Sequence, residues 1–163
     1  MKIIGLAGWS GAGKTTLVAK LLPVLIARGV SVSTIKHAHH AFDVDTPGKD
    51  SYVHRQAGAH EVLVASATRF ALMAEHRAAV EPELPELLAR LAPVDLVVVE
   101  GFKRHPHPKI EVFRAALGKP MLWPGDATIA AVASDCAVVG CDRAVIGLDD
   151  VEAIADWVLA SAD

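Results

Sequence analysis

Gly8-Trp9-Ser10-Gly11-Ala12-Gly13-Lys14-Thr15 matches the pattern G-x-x-x-x-G-K-[ST], and its neighbours sit where that pattern has physical meaning. Upstream, Lys2-Ile3-Ile4-Gly5-Leu6-Ala7 is a short, mostly apolar run that predicts a buried parallel strand. Downstream, Leu17, Leu21 and Leu25 recur at helical spacing and predict a helix over residues 15–28. Pro23 removes a backbone donor and should kink that helix, but the apolar stripe runs past it, so one helix is expected. The octet therefore bridges a strand and a helix N-terminus. Gly11 and Gly13 let successive N–H groups curl around an anion without Cβ clashes, and the helix start adds positive potential. Lys14 is expected to reach the β- and γ-phosphates as the catalytic cation, and the Thr15 hydroxyl to bind Mg²⁺. The chain is thus predicted to bind a nucleoside triphosphate.

Composition narrows the partners. With 163 residues, 52% of them hydrophobic, the chain suits a single nucleotide-binding domain over residues 1–163. A formal net charge of −3 supplies no basic field for a nucleic-acid backbone, so a small phosphorylated ligand is expected and nucleic acid is not. No apolar run reaches the roughly 18 residues of a membrane span, and the N-terminus enters a strand without a signal-peptide layout, so a cytoplasmic protein is expected. Cys136 and Cys141, spaced C-x₄-C, fit neither a redox nor a paired zinc motif and read as reduced packing residues.

The order of elements gives the fold class. Arg28 and Gly29 form a helix stop before a second strand over 31–36, completing a βαβ unit. A polar loop over 37–50 then leaves the carboxyl edge of that strand, the edge at which open α/β sheets bind ligands. A short helix over 50–57, a hairpin of strands over 61–65 and 69–74, and a helix over 83–91 follow. The run Val94 to Val99 reads as a central strand, and further strands are expected over 109–113, 129–133 and 144–146, with a final helix over 149–160. This predicts an α/β, three-layer P-loop NTPase fold with a mostly parallel central sheet and helices on both faces.

Two acids flank the central strand, Asp95 and Glu100. Five residues of strand separate them by roughly 16 Å, so they lie at opposite edges of the sheet. Only Glu100 shares the carboxyl edge with the phosphate loop, and it is the expected Mg²⁺ partner, directly or through water. Asp43 or Asp45 could also hold a water of the Mg²⁺ shell. Lys103 and Arg104, just beyond Glu100, bring cations to that edge for a second anionic ligand or for solvent. His37, His39 and His40 with Lys36 concentrate ionisable groups in the 37–50 loop, which suits a pterin, a phosphate or a partner, or an exposed polar loop, better than a metal, since adjacent loop histidines have no defined ligand geometry.

Four motifs in order, Gly8 to Leu17, Ile35-Lys36-His37-Ala38-His39-His40, Gly48-Lys49-Asp50-Ser51 and Val99-Glu100-Gly101-Phe102-Lys103, resemble the molybdopterin-guanine dinucleotide biosynthesis protein B family, over residues 2 to about 135. The resemblance implies a small GTP-binding protein, often a homodimer, that assists a separate guanylyltransferase attaching GMP to molybdopterin. It implies phosphate binding by Gly11, Ala12, Gly13, Lys14, Thr15 and Thr16. The N-K-x-D guanine motif of related GTPases is missing. Ala133-Ser134-Asp135 resembles a remnant of it, with Asp135 an acceptor for guanine N–H groups. Where some relatives carry a lysine after the first loop glycine, this chain has Trp9, which excludes a lysine from that position acting across a dimer. No residue is assignable as a water-orienting group or arginine finger, so hydrolysis should be slow or absent. A small-molecule kinase using ATP is the alternative, weakened by the lack of an arginine-bearing lid after the central strand. A metallochaperone GTPase, suggested by eight histidines, lacks a cysteine-rich metal motif.

Overall fold

The computed structural model describes residues 1–38, 42–77, 80–102 and 105–162. The elements in chain order are β1 (Lys2–Ala7), α1 (Lys14–Ala27), β2 (Val32–Lys36), α2 (Asp50–Gln56), β3 (Glu61–Ala65), β4 (Phe70–Ala74) and α3 (Leu84–Leu88). They continue with β5 (Leu96–Glu100), β6 (Lys109–Phe113), β7 (Ile129–Ser134), β8 (Ala144–Gly147) and α4 (Val151–Ser161). The chain forms two compact units, Met1–His37 with Leu88–Asp163, and Ala38–Leu87.

The first unit is a six-stranded sheet in the order β2-β5-β1-β6-β7-β8. Every pairing in it is parallel. One face of the sheet is read directly from the period-two pattern of its strands. Ile4 and Leu6, Leu96 and Val98, Ile110 and Val112, and Ala131 and Ala133 join one core with Leu17, Leu21 and Leu25 of α1 and Ile154, Ala155 and Val158 of α4. The α/β class with a mostly parallel sheet therefore stands as the sequence predicts. α1 continues through Pro23 to Ala27. At its end the Arg28 guanidinium pairs with Asp156 at 2.7 Å and with Glu152 at 2.5 Å, both on α4. These acids hold the guanidinium above its usual basicity, Glu152 first.

The opposite face of β6 is polar and still buried. Lys109 and Glu111 alternate with Ile110 and Val112 and are 1% and 0% exposed. Glu111 accepts from the Leu122 and Trp123 N–H groups at 2.8 and 2.9 Å, while burial raises its pKa. Lys109 donates to the His105 carbonyl and to the Thr128 hydroxyl. Gly5 completes this layer because His107 crosses it closely: a Cβ at Gly5 would stand 2.4 Å from His107 Nε2. Burial, with Lys109 and His105 beside it, pushes His107 down to about 4.

In the second unit β3 and β4 form the expected antiparallel hairpin, with Leu63 opposite Leu72 and Ala65 opposite Phe70. Leu63 is 60% and Phe70 72% exposed, so this face of the hairpin is apolar and uncovered. α3 is shorter than the helix expected over 83–91: Pro85 can open a helix, and past Leu88 the chain tightens into a turn in which the Leu91 N–H donates to the Leu88 carbonyl at 3.2 Å. Cys136 and Cys141 are free thiols, yet Cys136 is exposed and does not pack as expected.

Candidate functional site

The phosphate loop lies at the carboxyl end of β1 and leads into α1. Gly8, Gly11 and Gly13 all adopt positive φ, 139°, 84° and 99°, the conformations that non-glycine residues resist. Gly8 has a further requirement, since a Cβ there would meet the Val112 carbonyl oxygen at 2.5 Å. Gly13 is the helix N-cap and offers no side chain to the first-turn N–H groups, and no acid occupies that turn. A helix start with neither a capping side chain nor an acid in its first turn suits an outside anion. By contrast α4 is capped by Asp150, whose carboxylate accepts from the Ala153 N–H. The Lys14 ammonium folds over the loop, donating to the Gly8 and Trp9 carbonyls at 2.9 and 3.1 Å. This keeps a positive charge above the cradle.

Glu100 ends β5, which pairs with β2 on one side and with β1, the strand that leads into the loop, on the other. Thr15 Oγ1 lies 3.4 Å from both Glu100 carboxylate oxygens. A hydroxyl on the helix start and a carboxylate on the adjacent strand end therefore converge on one point beside the loop. An all-oxygen donor set of this kind suits Mg²⁺, which takes one or two protein ligands and completes its shell with phosphate and water. Lys36 places its ammonium 3.8 Å from Glu100 Oε1. The His37 N–H donates to the Glu100 carbonyl at 2.8 Å, and the His37 ring lies against Phe102, centroids 4.8 Å apart. That packing demands Gly101, whose φ is 103° and whose Cβ would stand 2.5 Å from His37 Cβ.

Asp95 sits at the opposite edge, as its spacing from Glu100 predicts. Its carboxylate accepts from the Ser31 hydroxyl and N–H, which hold its pKa down and join the starts of β2 and β5. Asp45 lies in the second unit, where its carboxylate accepts from Ser51 and faces Arg55 at 3.4 Å. Asp43 pairs with the same Arg55, whose Nη2 approaches at 2.6 Å. Both carboxylates hold up the 43–55 segment. His39, His40, Lys103 and Arg104 lie outside the described residues. Asp135 follows β7 directly, with Oδ1 accepting from the Ala115 N–H at 3.0 Å.

Arg114 was not singled out by the sequence. It follows β6, and its Nε donates to the Ala12 carbonyl of the phosphate loop at 3.2 Å. Its Nη1 lies 3.8 Å from Asp135 Oδ2. The signal was available: Arg114 ends the run Lys109 to Phe113 at the same carboxyl edge as Glu100. Without the order of strands, β6 could not be placed beside β1.

The model of the family "Molybdopterin guanine dinucleotide synthesis protein B" matches residues 3–135, which include the loop, Glu100, Arg114 and Asp135. The chain belongs to this family. Among its relatives, the molybdopterin-guanine dinucleotide biosynthesis adapter protein of Escherichia coli K12 is 46% identical over 160 residues, covering 96% of this chain and 91% of the relative. The adapter protein of Haemophilus influenzae Rd is 40% identical over 156 residues, covering 96% and 86%. A crystal structure of a molybdopterin-guanine biosynthesis protein B superposes with a TM-score of 0.77 at 28% identity, covering 97% of this chain and 98% of that one. The resemblance drawn from four sequence motifs is thereby shown, and so is the fold those motifs imply.

Proposed function

We propose that this chain is a GTP-binding adapter for molybdopterin guanine dinucleotide formation, working beside a separate guanylyltransferase rather than transferring GMP itself. The observation that carries the nucleotide reading is the convergence of Thr15 and Glu100 at 3.4 Å beside an uncapped, glycine-built helix start. Gly11, Ala12, Gly13, Lys14, Thr15 and Thr16 line the phosphates through backbone N–H groups, the Lys14 ammonium and hydroxyls. Thr15 and Glu100 hold Mg²⁺, which neutralises charge on the phosphate oxygens. The adapter role rests on the names of the E. coli and H. influenzae relatives, carried to this chain by identity over nearly its whole length. Guanine rather than adenine is assigned on the family's link to a guanine dinucleotide; Asp135, expected from the sequence as the base acceptor, is engaged instead by the Ala115 N–H and faces Arg114. Lys36 and His37, beside Glu100, offer a cation and a ring to a pterin phosphate or to the partner enzyme. We place the adapter in the cytoplasm; no described helix is long and apolar enough to cross a membrane.

Homodimerisation is part of the same reading. An uncovered apolar hairpin face carrying Leu63, Leu72 and Phe70 suits a second copy of the chain, because burying it would remove exposed apolar surface from water. Calorimetric titration of GTP, ATP and molybdopterin, each with Mg²⁺, into the purified protein tests the proposal. GTP should bind at least about tenfold more tightly than ATP. Equal or tighter ATP binding would turn the assignment toward an ATP-dependent small-molecule kinase.

A further inference from the structure

Three contacts that no part of the nucleotide reading uses meet on the outer side of the phosphate loop. Arg114 Nε donates to the Ala12 carbonyl at 3.2 Å. Gly13 leaves the guanidinium its space, since a Cβ there would stand 3.3 Å from Arg114 Nε. Asp135 turns both oxygens toward this segment, Oδ1 to the Ala115 N–H at 3.0 Å and Oδ2 toward Arg114 Nη1 at 3.8 Å. The topology makes the pairing local: β6 and β7 run parallel with Phe113 opposite Ser134, so the next residues, Arg114 and Asp135, stand side by side at the carboxyl edge.

The consequence lies in the peptide plane. In a trans peptide the C=O of one residue and the N–H of the next point in opposite directions. A guanidinium holding the Ala12 carbonyl outward therefore aims the Gly13 N–H inward, toward the phosphates. Glycine is the residue most able to turn that peptide over, so an unbraced Gly13 would sample orientations that withdraw the donor. We infer that Arg114 is a positioning residue that fixes the Ala12–Gly13 peptide in its phosphate-binding orientation before ligand arrives, and that Asp135 holds Arg114 in place. The inference rests on the nucleotide reading above for its functional meaning, but the brace itself belongs to the ligand-free protein.

Arg114→Ala, Arg114→Lys and Asp135→Asn separate the roles, measured on the full chain with GTP and with inorganic tripolyphosphate, each with Mg²⁺. Losing a charge-assisted contact that preorganises the loop should weaken GTP and tripolyphosphate by the same factor in Arg114→Ala, about ten- to a hundredfold. Arg114→Lys should recover part of this, since an ammonium can still donate to the Ala12 carbonyl. Asp135→Asn should weaken both ligands equally and by less. In the ligand-free Arg114→Ala protein the Gly13 amide should exchange faster and shift in its NMR resonance, while the thermal midpoint stays within about 3 °C. An unchanged ligand-free Gly13 amide would overturn the brace and make Arg114 a direct phosphate contact. Loss of GTP but not of tripolyphosphate affinity in Asp135→Asn would overturn the role given to Asp135 and make it a base acceptor. If the wild-type protein binds neither ligand, the nucleotide reading fails by itself, and the Gly13 amide still decides whether the brace exists.

Discussion

In the proposed function Lys14 brings its charge to the Gly8 and Trp9 carbonyls of the loop while Thr15 and Glu100 bring oxygens together, so their substitutions should change binding without changing the fold. Lys14→Ala should abolish measurable triphosphate binding, because the loop loses the ammonium that folds over the Gly8 and Trp9 carbonyls, while the circular dichroism stays that of the wild type. Glu100→Gln keeps the volume and removes the charge; it should weaken Mg²⁺-GTP by about tenfold and leave GTP binding in EDTA unchanged. Equal losses with and without Mg²⁺ would show that Glu100 holds the loop rather than the metal. Trp9 reports on the same loop, for its indole N–H donates to the Pro120 carbonyl at 2.7 Å and Lys119 lies over its ring. The residue scale is also where the sequence is most legible, since the loop octet and Glu100 carry their chemistry in residue type and spacing. Arg114 escaped that reading because an arginine after a strand has no meaning until the neighbouring strand is known.

At the scale of elements, short apolar runs identify the buried parallel strands, and the leucines of α1 identify the stripe that covers one of their faces. Leu21 sits at the centre of that stripe, 1% exposed, and Leu21→Ala should cost about 2–5 kcal/mol in a denaturant unfolding experiment. Gly101→Ala should destabilise by at least about 2 kcal/mol, since a Cβ would be placed at positive φ and 2.5 Å from His37. Boundaries were less legible. The helix expected over 83–91 closes at Leu88 although Leu91 keeps the apolar spacing, because side-chain periodicity does not mark where the backbone tightens into a turn. The buried polar face of β6 was invisible for a related reason: Lys109 and Glu111 look like a solvent face until the segments that cover them are placed.

For the whole molecule, the pH response follows from that buried face. His107 has a folded pKa of about 4, below its ordinary 6.5, so the unfolded chain binds the proton more readily. Its contribution to stability is complete above pH 6.5 and is lost as pH falls toward 4, by up to about 3 kcal/mol. Glu111, whose pKa burial raises, acts in the opposite sense, favouring the folded state as pH falls. The difference between wild type and His107→Gln isolates the histidine: the variant's thermal midpoint should fall less between pH 7 and pH 5. The association state is the other whole-molecule property. If the hairpin face pairs two copies, Leu63→Glu with Phe70→Lys should convert a dimer to a monomer in sedimentation velocity, with GTP affinity retained. A dimer that survives both charges would place the interface elsewhere.

Residue type and spacing by themselves determined the phosphate loop, the parallel α/β class, the hairpin and Glu100 as the acid at the working edge, because each depends on local periodicity or on direction along one strand. Only the tertiary structure decided which strand ends stand next to the loop. Parallel pairing of distant segments brought Arg114, with Asp135 beside it, against Ala12, more than a hundred residues away in sequence, and the fold put Asp45 in a unit with Arg55. Strand order is set by which faces can be buried together, a property of the assembled sheet that no single stretch of the chain contains.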